Sequence, residues 1–169
     1  MRCLLGRVKD PLRRSEKGDE AMTKREEAHG GTRPAEGRPR VTGLDHLVLT
    51  VRDAGRSCRF YTRVLGLVEE RFRGADGAER QALRMGAQKI NLHVVGAEIA
   101  PHAAAPRAGS ADLCLLTRDP LSVWSAHLAG LDVPVALGPV PRTGALGPIT
   151  SLYLRDPDGN LVEIARYDP

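Results

Sequence analysis

The chain has 169 residues, 41% of them hydrophobic and 27% charged, with six aromatics and a net charge of +4. No apolar run approaches the roughly 20 residues that cross a bilayer as a helix, and Cys3, Cys58 and Cys114 are too few and too scattered for a disulfide framework or a paired-cysteine zinc site. Residues 1–40 hold eleven Lys/Arg against seven Asp/Glu, whereas residues 41–169 hold fourteen of each, so the globular part offers no net basic field for nucleic acid.

Residues 1–40 read as a disordered basic tail: Gly30-Gly31, Pro34, Pro39 and a mixed charge run from Arg13 to Glu27 leave almost nothing apolar to bury. The Arg-rich start has Asp10, Glu16, Asp19 and Glu20 too early for an organelle-targeting peptide, and Leu4-Leu5 is too short a core for a secretory signal. The expectation is a soluble, intracellular, cytoplasmic protein with reduced thiols and neither membrane nor nucleic-acid partners.

Patterned sequence occupies residues 41–169. From Leu44 to Val51 the residues alternate, with His46, Val48 and Thr50 on one face and Leu47, Leu49 and Val51 on the other, which predicts a strand covered on both sides. Asp53 caps a helix carrying Phe60/Val64 and Tyr61/Leu65 pairs, and Gly66 ends it. Three strands follow at Leu67–Phe72, Arg80–Arg84 and Ile90–Val95. The order then restarts: a strand at Ala111–Thr117, Asp119-Pro120 as N-cap and first helical residue, a helix to Gly130, and strands at Val133–Leu137, Thr150–Leu154 and Leu161–Ala165. This is an α+β architecture of two βαβββ repeats. Two helices cannot cover eight strands unless the sheet curls, so one curved, half-open eight-stranded barrel is expected, helices outside and a cavity within.

Aligning the repeats sets Asp112 at the position of His46 and Glu163 opposite His93, each a polar interruption in an apolar run. Two imidazoles and two carboxylates converging on a cavity suit a divalent first-row metal: Mn, Fe, Co, Ni or Zn. Singly, each has an ordinary structural reading, such as a satisfied core histidine or a turn-capping aspartate; the positional match is what favours the joint one. Val140–Ile149 reads as a long hairpin loop, and Arg142 and Thr143 there, with Ser151 and Tyr153 on the following strand, are candidates to rim the cavity and bind an anionic group. Asp156-Pro157-Asp158-Gly159 is turn chemistry that launches the strand of Glu163.

The runs Leu44–Val51, Phe60–Leu67 and Leu154–Glu163 resemble the vicinal-oxygen-chelate superfamily, which includes glyoxalase I, methylmalonyl-CoA epimerase, fosfomycin-resistance thiol transferases and extradiol dioxygenases. The resemblance covers residues 41–169. It implies metal ligands from the first and last strand of each unit, matching His46, His93, Asp112 and Glu163. Asp112 departs from the neutral ligand common at its position, and a second carboxylate favours a harder metal. The expected function is a metal-dependent lyase or isomerase of the glyoxalase type acting on a small oxygen-chelating substrate, with Glu163 doubling as catalytic base. The rival is a non-catalytic small-molecule-binding module of the same fold. Two units in one chain can close a cup, and open edges invite pairing, so a monomer or a homodimer is expected.

Overall fold

The computed structural model describes residues 37–167; the expectations for residues 1–36, Cys3 included, lie outside the described residues. Strand β1 (His46–Val51) alternates as expected, burying Leu49 and Val51, but it is covered on one side only: His46 and Val48 face solvent. Asp53 starts α1 (Ala54–Leu65) by accepting from the Arg56 amide at 2.8 Å. Gly66, at φ 69°, ends it, its amide reaching back to the Thr62 carbonyl while that of Leu67 reaches Tyr61. The buried face of α1, formed by Cys58, Tyr61, Val64 and Leu65, lies on the first sheet.

That sheet has the order β1-β4-β3-β2, with β2 (Val68–Arg73), β3 (Glu79–Met85) and β4 (Gln88–Val94). β1 and β4 run parallel, with His46 beside Lys89, Val48 beside Asn91 and Thr50 beside His93. The second half repeats the topology. β5 (Asp112–Leu116), β6 (Leu137–Gly144), β7 (Gly147–Arg155) and β8 (Leu161–Tyr167) form a sheet of order β5-β8-β7-β6. Here β5 runs parallel to β8 with Cys114 beside Glu163. The architecture is therefore α+β, a βαβββ unit written twice, with its eight strands in two sheets of four.

Two boundaries differ from the sequence expectation. Pro120, in an extended conformation (φ −57°, ψ 139°), itself occupies the N-cap of α2 (Leu121–Gly130), and no side chain caps that helix. The Asp119 amide instead donates to Thr117 Oγ1, which also accepts from Trp124 Nε1 at 2.9 Å. The strand expected at 133–137 starts only at Leu137, and the loop expected at 140–149 is a hairpin: β6 and β7 pair as far as Gly144 beside Gly147. Pro139 and Pro141 gave that stretch a loop-like sequence, but β6 is the edge strand of its sheet, where a missing amide is tolerated. Gly138 (φ 115°) lets the strands approach closely, since a Cβ there would stand 2.5 Å from the Ser151 carbonyl oxygen.

The halves meet at the turn before β8. Buried Asp156 accepts from the amides of Asp158 and Asn160, from Asn160 Nδ2 and from the Tyr61 hydroxyl of α1. Asp158 accepts from the amide and guanidinium of Arg52, at the end of β1. Asn160 Oδ1 takes the Ala111 amide at 2.9 Å. One polar knot thus fixes the starts of both β5 and β8, and with them Asp112 and Glu163.

Candidate functional site

On the second sheet, alternation places Asp112, Cys114 and Leu116 of β5, Glu163 of β8, Ser151 and Tyr153 of β7 and Arg142 of β6 on one face, opposite the buried Val162, Ile164, Leu152 and Leu154. Glu163 is its centre. It lies between Cys114 and Tyr153 in the ladder, and the fully buried Ser151 hydroxyl donates to its Oε1 at 2.5 Å. Arg142 Nε donates to the Tyr153 hydroxyl at 3.0 Å, and the guanidinium stands 5.3 Å over the same ring. Asp112 is two residues from the partner of Glu163, a diagonal neighbour at about 7–8 Å between backbones. Arg142, Ser151, Tyr153, Asp112 and Glu163 therefore share a face. Thr143, paired with Pro148, alternates to the opposite one.

Cys114 joins this group, which the sequence expectation did not include. Partial burial, then the charge and hydrogen bond of Glu163, then Asp112, push its thiol up to about 11. Its position two residues after Asp112 on the same strand was the available signal.

On the first sheet, His46, Val48 and Thr50 share a face with Lys89, Asn91 and His93. His46 Nδ1 lies 2.6 Å from Asp45 Oδ1, a contact that holds the Asp45 carboxyl below the usual range and leaves Nε2 as the other ligating atom of the ring. The strand register assigns the repeat differently from the sequence alignment. If His46 corresponds to Asp112, then Val48 corresponds to Cys114, and their partners, Asn91 and Glu163, correspond to each other. His93 falls one alternation further on, beside Thr50 and roughly 13 Å along the face from the level of His46. It lines a cavity of about 270 Å³ with Arg80, Leu92 and Ile99. Burial, then the charges of Arg80 and His102, lower its pKa against an opposing effect from Glu98. The Asn91 Oδ1 atom is buried without a hydrogen-bond partner.

The donor chemistry fits a divalent metal: two carboxylates on one face, and an imidazole oriented by a carboxylate on the other. Among the described residues of one chain, however, no three His, Cys, Asp or Glu side chains gather closely enough to hold one ion. Both faces also leave large apolar side chains open, Val48 (48% exposed) and Val68 (63%) on the first, Leu116 (65%) and Leu137 (49%) on the second.

The family model for the Glyoxalase/Bleomycin resistance protein/Dioxygenase superfamily matches residues 43–164. Virulence protein STM3117 of Salmonella typhimurium is 48% identical over 127 residues, which span 75% of this chain and 85% of that protein. The glyoxalase domain-containing protein RDO1 of Mycosarcoma maydis is 47% identical over 127 residues, 75% of this chain and 69% of that one. A solved integron cassette protein from the mobile metagenome of V. cholerae superposes with a TM-score of 0.73 at 50% identity, covering 78% of this chain and 99% of its own.

Proposed function

This chain belongs to the Glyoxalase/Bleomycin resistance protein/Dioxygenase superfamily, and from that premise we propose that it is a metal-dependent lyase or isomerase of the glyoxalase type acting on a small oxygen-chelating substrate. The observation that carries the reading is Glu163: a carboxylate at the centre of an open sheet face, with one oxygen taken by Ser151 and a second carboxylate, Asp112, diagonal to it.

In this reading Asp112 and Glu163 of one copy and His46 of a second copy hold the ion, as a homodimer. Charge complementarity supports the pairing. The first sheet's face presents His46, Lys89 and Arg84, with Arg84 paired to Glu70, while the second presents Asp112 and Glu163 beside the Arg142 cation. Bringing the faces together also covers Val48, Val68, Leu116 and Leu137. A divalent metal held by these residues would supply Lewis-acid stabilisation of negative charge developing on the substrate oxygens.

The chain's own groups do the rest. Ser151 fixes the Oε1 edge of Glu163, so the proton removed from the substrate carbon is received at Oε2 and returned from there to the neighbouring carbon. Tyr153, held by Arg142 Nε, orients the substrate oxygens, and the remaining guanidinium donors take an anionic group.

Metal analysis of the purified full-length protein, run beside a solution mass measurement, tests the proposal. Stoichiometric metal in a dimer, lost in both Glu163→Gln and His46→Ala, is the expected result. A protein that stays metal-free at saturating Mn, Fe, Co, Ni or Zn while still binding small ligands would refute the enzyme and leave the binding module.

A further inference from the structure

Helix α1 turns a second, chemically distinct face away from the first sheet. Arg56, Arg59 and Arg63 follow at i, i+3 and i+7, so they form one stripe with about 5–6 Å between successive Cβ atoms. Four arginines of the domain, Arg52, Arg71, Arg80 and Arg84, each have an ion pair. The three on α1 make none among the described residues. Their placement works against the helix. Arg56 sits in a first turn that holds no acidic residue, where the macrodipole disfavours a cation, and the i, i+3 and i, i+4 like-charge pairs are mutually repulsive.

The stripe borders a cavity of about 480 Å³, within the range of small-ligand sites. Beyond the arginines its wall includes Phe60, Leu131 and Val133, partly buried side chains packed on the core, and no acidic residue. Gly55 leaves room for Arg59 Nη1 and for Asp53 Oδ1, each 3.3 Å from where a Cβ would stand, so the N-cap carboxylate flanks the start of the stripe without lining the cavity. Three forked donors beside a dry wall match a ligand with an oxyanion at one end and a compact apolar body at the other.

We propose that the α1 groove is a second ligand site, separate from the face of Glu163, that binds a small amphipathic phosphate: a phosphate monoester whose aryl or alkyl body rests on Phe60, Leu131 and Val133 while Arg56, Arg59 and Arg63 take its oxygens. The site requires no metal and does not rest on the catalytic proposal above.

Amide chemical-shift titration of the full-length protein, without added metal, tests it with phenyl phosphate, inorganic phosphate and phenol as probes. Saturable shifts should centre on residues 56–63 and 131–133, with phenyl phosphate binding at least tenfold tighter than inorganic phosphate and phenol showing no saturation. The Arg56→Gln/Arg59→Gln/Arg63→Gln variant, its fold confirmed by circular dichroism, should lose binding. Val133→Asn should weaken phenyl phosphate and leave inorganic phosphate unchanged, and Glu163→Gln should bind as the native protein does. Shifts confined to the Glu163 face, equal affinity for the two phosphates, undiminished binding by the folded triple variant, or no saturable shift would each overturn the proposal.

Discussion

Tyr61→Phe isolates the contact that joins the halves. The Tyr61 side chain is fully buried, and its hydroxyl donates to Asp156 Oδ2 at 3.1 Å; burial first, then the charge of Asp156, holds the phenol well above its usual range. Asp156 keeps three other donors at 2.8–2.9 Å, so the variant removes the longest of four hydrogen bonds to a buried carboxylate without leaving it bare. A hydrogen bond to a charged group contributes about 1.5–3 kcal/mol, and its length puts this one near 1.5–2 kcal/mol. Urea unfolding at pH 7 should show that loss with an unchanged m-value. At about 3–5 °C per kcal/mol for a domain of this size, the melting temperature should fall by roughly 5–10 °C. In an Asp156→Asn background the same substitution should cost less than half as much, because the acceptor charge is gone. A loss below about 0.5 kcal/mol, or strict additivity of the two substitutions, would show that the bond does not couple the halves.

Two further outcomes follow from the site electrostatics. With its thiol pushed up to about 11, Cys114 should alkylate slowly at pH 8 despite its exposure, and Glu163→Gln should shift the pH-rate curve downward; peptide-resolved mass spectrometry of iodoacetamide adducts reads this, and an ordinary thiol profile in the native protein would contradict the burial and charge argument. His93 has a depressed pKa in the folded state, so between that value and the unfolded value near 6.5 the unfolded chain binds more protons. Stability should therefore decline as pH falls below about 6.5 and level off once the folded pKa is passed. His93→Gln should flatten that slope in denaturation series, and an unchanged slope would remove His93 as its source.

Much of the architecture was legible because its signals are local. Asp53 and Gly66 bracket α1 through contacts within four residues, and the alternation of β1 sorted His46 from Leu49 before any partner was known. What escaped the sequence was set by partners distant in the chain. The prolines of β6 look like a loop until β7 supplies the ladder and the edge position makes a missing amide harmless. The repeat alignment slipped by one alternation at His93 because apolar neighbours fit either register; only the pairing of Val48 with Asn91 and of Cys114 with Glu163 separates the two. Ser151 and Tyr153 were legible as a pair by their spacing, as was the shared face of Cys114 and Asp112, whereas the place of Cys114 beside Glu163 required knowing that β5 lies against β8.

The knot around Asp156 and Asp158 also bears on the history of a doubled unit. Because Tyr61 and Arg52 of the first copy donate to carboxylates of the second, a cut anywhere in residues 100–108 would leave the anterior piece a phenol with no acceptor and would take one of four donors from Asp156 and the Arg52 donors from Asp158. Duplication turned into a one-way step. A split or permuted version of this protein will assemble only if both fragments are present together, which makes that junction a natural place to install a reporter of their reunion.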